Sequence, residues 1–136
     1  MPPRFTVYEG SSFPIIRGQP QEESPVTTIT DDFMRQRLSQ ARNYTIVILK
    51  KTSRTSEPGA DKIIWEHGRR NMAMNADGLL PVVCPVNDGT DLAGVGIFDA
   101  SVEETLKILD DDPGVKAGLF TFELHPCRGF PGSSLP

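Results

Sequence analysis

A carboxylate and an imidazole stand where helical scaffolding can bring them together. Asp112 begins the string Asp112-Pro113-Gly114-Val115-Lys116-Ala117-Gly118, and His67 lies near the middle of an earlier helical segment. An aspartate that accepts a hydrogen bond from one imidazole nitrogen fixes the tautomer and leaves the other nitrogen free to take or deliver a proton. That chemistry suits proton abstraction beside a carbonyl, isomerisation of a lactone or phenol, or elimination of a leaving group. It needs neither a metal nor a nucleotide, and no cofactor is expected. Plainer readings stand beside it. An Asp before Pro is also the pattern of a helix N-cap, a role compatible with the first. His67 borders an apolar stripe and reads equally well as a half-buried structural histidine.

Four further residues are candidates for ligand contact. Gly94 and Gly96 share one face of a strand, where glycine marks close approach of a helix or a ligand. Close helix packing is the favoured cause, with Gly68 as its counterpart, although the same positions leave room for a small ligand. Trp65 and Arg70 offer an apolar wall and an anion contact for an aromatic acid; a partly buried Trp and a surface Arg explain them as well. The acidic run Asp110-Asp111-Asp112 reads as a solvated helix end rather than a magnesium site. Cys84 and the His125-Pro126-Cys127 string fall on opposite edge strands, too far apart to share a metal within one subunit, so no metal site is expected. Walker loop, Rossmann glycine string, nucleophile elbow and zinc spacing are all missing from the sequence.

The elements that must position these residues follow from composition and periodicity. With 136 residues, 38% of them apolar and 24% charged, the chain has the length of one domain and an ordinary globular composition. No apolar run reaches the roughly 18 residues of a membrane span. A net charge of −4 repels phosphate backbones, so neither nucleic acid nor membrane is an expected partner. The opening residues Met1-Pro2-Pro3-Arg4 lack the apolar stretch of a secretory signal, and the expected compartment is the cytoplasm. Cys84 and Cys127 read as reduced thiols.

Residues 1–41 form an N-terminal extension: an arm with two short apolar patches around a Pro/Gln/Glu/Ser-rich stretch at 18–25, then a short helix capped by Thr30 or Asp31 that carries Phe33, Met34, Leu38 and Ala41 on one side. The β-branched run 44–49 is the first strand, apolar on both faces. A helix follows in which Ala60, Ile64, Gly68, Met72 and Ala76 recur every four residues as a narrow buried stripe, and Gly78 stops it. Residues 79–86, with Pro81 and Pro85, suit an edge strand, and the turn 87–91 reverses the chain into a strand over 92–98. Ser101 and Glu104 form a capping box before a second helix with Val102, Leu106 and Leu109 on one face. Pro113 opens a further turn ended by Gly118, and a final strand runs over 119–125.

From residue 42 the order is βαββαβ, the ferredoxin-like α+β arrangement: a four-stranded antiparallel sheet with two helices on one face. A domain over 42–127 and a tail over 128–136 complete the division of the chain. Because the first strand is apolar on both faces, the bare side of the sheet is expected to pair with that of a second copy, giving a homodimer with the shape of a barrel, the alternative being that the N-terminal extension covers that face alone.

Residues 42–127 resemble the YCII-related (YciI-like) family of the dimeric α/β-barrel superfamily. The resemblance is carried by the Asp-Pro-x-Val-x-Ala-Gly string at 112–118, by His67, and by Asp77-Gly78-Leu79-Leu80. The N-terminal extension and the Gly-Phe-Pro-Gly tail depart from the family pattern. The resemblance implies a dimeric barrel whose active site is lined by the Asp of the Asp-Pro turn and a His of the first helix, here Asp112 and His67. One characterised relative removes halide from a chlorinated hydroxyhydroquinone, and sister families include muconolactone isomerases and small monooxygenases. Residues and resemblance together point to a small-molecule enzyme using a His-Asp acid/base pair on a cyclic or aromatic metabolite. A non-catalytic ligand-binding or accessory protein, or an interaction module docking through its N-terminal arm, is the alternative.

Overall fold

The structure is a computed structural model in which residues 5–7, 16–18 and 26–136 are described. In chain order the elements are β1 (Phe5–Val7), β2 (Ile16–Gly18), α1 (Asp31–Ser39), β3 (Arg42–Lys51), a 3-10 turn (Ser53–Ser56), α2 (Ala60–Ala76), β4 (Val82–Pro85), β5 (Leu92–Phe98), α3 (Val102–Asp110), α4 (Pro113–Lys116) and β6 (Phe120–Gly129). Strands β4-β5-β3-β6 form one antiparallel sheet, the strand order of the expected ferredoxin-like fold, while among the described residues β1 and β2 pair with each other. Most of the Pro/Gln/Glu/Ser-rich stretch, from residue 19 to 25, lies outside the described residues.

Local chemistry explains most of the boundaries. Thr30 caps α1 by accepting from the Phe33 N–H, and Ser101 and Glu104 make the reciprocal capping box of α3. Gly78 takes the left-handed conformation that ends α2, at φ 79°. Strand β3 is longer than its apolar centre, because Arg42 and Asn43 pair with Gly129 and Arg128 at one end and Lys51 with Phe120 at the other. Strand β6 likewise continues through Pro126, which stands opposite Thr45. As an edge strand it accommodates a proline whose missing N–H costs no inner ladder bond.

Alternation along β3 sorts its two faces. Thr45, Val47 and Leu49 are buried beneath the helices, whereas Tyr44, Ile46 and Ile48 remain half-exposed on the other side. The helix side holds two clusters: Val47, Met74, Leu80, Phe98 and Leu109 under the C-terminal half of α2, and Leu49, Ala60, Leu119 and Phe120 under its N-terminal half. Fully burying each such side chain contributes roughly 1.5–3 kcal/mol.

Two helix faces differ from the sequence expectation. In α2 the buried residues are Ala60 and Met74, while Met72 and Ala76, placed in the stripe by the four-residue repeat, are exposed. A strict i+4 repeat drifts about 40° per step around a helix of 3.6 residues per turn, so it leaves the core within a few turns. In α3 the same geometry buries Thr105 and Leu109 and leaves Leu106 43% exposed.

Candidate functional site

Asp112 is, with Thr45 and Thr105, one of three buried polar residues among the described residues, and the one that is charged. It is the N-cap of α4, fully buried, with Oδ2 accepting from the N–H groups of Gly114 (2.9 Å) and Val115 (3.1 Å). Pro113 at the first helical position supplies a preset φ where no N–H is needed. Gly114 is required here for space: a Cβ at that position would stand 2.5 Å from the Phe120 ring and 3.1 Å from Asp112 Oδ2.

The same carboxylate meets α2. His67 Nδ1 lies 2.8 Å from Asp112 Oδ1 and 2.9 Å from Oδ2, and Arg70 places a guanidinium nitrogen 3.6 Å from Oδ1. Arg70 also donates to the Ile108 carbonyl at 2.8 Å, tying the end of α3 to α2. His67 and Arg70 are three residues apart and therefore share one side of the helix. Burial of Asp112 opposes its ionisation, but the hydrogen bond and proximity of His67, the Val115 N–H and the Arg70 charge outweigh it, and the carboxyl sits below its ordinary value of 3.8. The N-cap and imidazole-partner roles thus coexist on one side chain, one oxygen serving the cap and both serving the ring.

The remaining imidazole nitrogen is also accounted for. Asn71, one turn further along α2, stands 3.2 Å from Nε2. With Asp112 ionised, the arrangement that satisfies every partner has Nδ1–H donating to Asp112 and the Asn71 amide donating to Nε2. Phe120 packs against the imidazole with ring centroids 4.8 Å apart and planes tilted by 44°.

Beside this group lies a cavity of about 290 Å³ between α2 and the sheet. Its walls come from both core clusters, including Val47, Leu80 and Phe98 from one and Leu49 and Phe120 from the other, with His67 and Asn71 opening onto it from α2. Such a volume is near the lower end of the range for small-molecule sites and takes a single substituted ring. Gly94 and Gly96 line it, so that the β5 backbone forms part of the wall. Gly68 lines it too. A Cβ on Gly68 would meet nothing within 4 Å, so the close helix packing expected at Gly68 does not occur and open space takes its place.

Two candidates fall elsewhere. Trp65, expected as an apolar wall, is 70% exposed and outside the cavity, since residues two apart on a helix point in divergent directions. Arg70, expected to contact a ligand anion, is directed at Asp112 and Ile108. The acidic run divides in three: Asp110 is exposed, Asp111 pairs with Lys116 at 2.7 Å, and Asp112 is buried. Cys84 and Cys127 stand on β4 and β6, the opposite edges of the sheet. Sequence reading missed Asn71, although its i+4 spacing from His67 on a helix was the available signal, and Phe120, whose role depends on the register of β6 and left no local signal.

Neither a protein-family model nor a curated protein matches the chain. Among solved structures, the chain is similar to 5-chloro-2-hydroxyhydroquinone dehydrochlorinase (TftG) from Burkholderia phenoliruptrix AC1100, in a complex with 2,5-dihydroxybenzoquinone. That likeness has 19% identity and a TM-score of 0.42, over 60% of this chain and 90% of the other.

Proposed function

We propose that this chain is a small-molecule enzyme of the YCII-related kind, in which His67 is the general acid/base and Asp112 its orienting partner. The observation that carries the reading is the His67–Asp112 contact at 2.8 Å beside a largely apolar cavity. In the step envisaged, His67 Nε2 takes a proton from a carbon next to a carbonyl of a ring-sized ligand, and the electron pair left behind moves onto the carbonyl oxygen as an enolate. Return of the proton at another carbon completes an isomerisation; departure of a leaving group with its bonding pair completes an elimination. Asp112 stabilises the imidazolium formed in between. Asn71 must release Nε2 before the ligand proton can reach it, and its amide then stands free to bind the ligand's oxygen.

The same reading includes a homodimer. Ile46 and Ile48 of β3 stand opposite Ile97 and Val95 of β5, and Val82 of β4 stands opposite Ile97, so the outer face of the sheet carries a continuous apolar patch across three strands. A second copy laid on that patch would bury it. Substituting Ile48 by Glu is expected to turn a dimer into a monomer in sedimentation, and a wild-type monomer would contradict this part of the proposal.

The test of function is a thermal-shift screen of the wild-type chain with small aromatic acids, lactones and quinols, followed by turnover measurements on each stabilising compound. An enzyme predicts consumption of at least one compound by the wild type and none by a folded His67→Ala variant. A non-catalytic binding protein would instead show stabilisation with no turnover and merely weaker affinity in the variant.

A further inference from the structure

The inner face of β3 ends on a charge. Its helix-facing row reads Thr45, Val47, Leu49, Lys51, and Lys51 stands opposite Phe120, the residue whose ring packs on His67. Lys51 lines the cavity and is half-buried. Its backbone N–H donates to the Asp91 carbonyl at 2.6 Å, which fixes the end of the strand against the β4–β5 turn. Among the described residues its ammonium has no carboxylate within ion-pair distance. The turn carries two acidic side chains: Asp88 accepts from the Thr90 N–H at 3.0 Å and from its hydroxyl at 2.6 Å and feels the Lys51 charge at longer range, and Asp91 is exposed. His67 and Asn71, also on the lining, hold one another.

Lys51 is half-buried on the wall of an apolar cavity and feels the Asp88 carboxylate only from beyond ion-pair distance, so an anion inside the cavity would give its charge a direct partner. We propose that Lys51 is the anion-recognition residue of this cavity, and that the ligand is a one-ring organic acid whose ionised carboxylate meets Lys51 while another part of the ring faces His67. The inference rests on the reading of the cavity as a ligand site and adds to it the charge and orientation of the ligand. Two fixed points, the ammonium and the imidazole, hold a flat ring in one orientation, so Lys51 is specificity-determining rather than part of the proton transfer.

The test compares a matched pair of probes, 2,5-dihydroxybenzoate and 2,5-dihydroxybenzamide, by calorimetric titration of the full chain in its wild-type, Lys51→Met and Lys51→Arg forms, each checked for an unchanged melting temperature. The expected result is about tenfold tighter binding of the acid than of the amide by the wild type, no such preference in Lys51→Met, and a retained preference in Lys51→Arg. Equal binding of both probes by the wild type, or a preference that survives in Lys51→Met, would overturn the role of Lys51 and leave the cavity reading intact. Binding of neither probe at millimolar concentration would overturn both.

Discussion

The two sides of α2 are built on opposite terms. One side, with His67, Arg70 and Met74, is fastened: the first two reach Asp112, Arg70 adds the Ile108 carbonyl, and Met74 is buried. The other side, with Ile64, Gly68 and Met72, looks onto open volume. His67 stands at the border, its Nδ1 held on the fastened side and its Nε2 held by Asn71, which with His67 lines the cavity. An acid/base group needs both partners that hold its ring in place and room for a ligand. The contrast shows how one helix supplies the two at once.

The largest predicted effect falls on the fastened side. Replacing Asp112 by Ala leaves two N–H groups of α4 and His67 without their acceptor and Arg70 without its counter-charge, and should cost about 3–5 kcal/mol in chemical denaturation. A loss within experimental error of zero would mean that the buried carboxylate organises nothing. Met74→Ala opens a void in the core beneath the same side and is expected to cost about 2–4 kcal/mol.

The same substitution should have opposite signs at two glycines. Gly114→Ala drives a methyl group into the Phe120 ring and should destabilise by about 1–3 kcal/mol. Gly68→Ala places its methyl group in empty space within a helix and should stabilise by about 0.5–1 kcal/mol. Equal signs at the two sites, read from denaturant midpoints, would erase the distinction between the two sides. Met72→Ala, on the open side, should change stability by less than about 0.5 kcal/mol.

Acid should reach the fastened side through Asp112. The Asp112 carboxyl has a lowered folded-state value, so it binds a proton more readily in the unfolded chain. Its contribution to stability is therefore complete above the unfolded value, near 3.8, and is lost as pH falls through the folded value below it. An Asp112→Asn variant should lack that component, and its stability curve should run flatter below about pH 4 than that of the wild type. Parallel curves would contradict the assignment.

The sequence disclosed what is decided locally. Thr30, the Ser101–Glu104 box, Gly78 and the turn at 87–91 fix their elements through neighbouring residues, and the structure has each in its expected place. The limits of β3 and β6 were not legible, because Arg42, Lys51 and Pro126 become strand residues only through pairing with a distant strand. The His67–Asp112 approach could be anticipated from helix order over a sheet. The empty space at Gly68 could not, since a glycine that admits a neighbouring helix and one that faces a cavity read identically in sequence. Trp65 misled for a related reason: closeness to His67 along the chain puts it two residues round the helix, on the solvent side.

The most direct test is the tautomer of His67, read by long-range ¹H–¹⁵N correlation at a pH where the ring is neutral. An imidazole held by Asp112 and facing the cavity should carry its proton on Nδ1 and show a bare Nε2, and Asp112→Asn should disturb that pattern. A proton found on Nε2 in the wild type would leave the cavity facing a nitrogen that cannot accept one, and would contradict the base assigned to it.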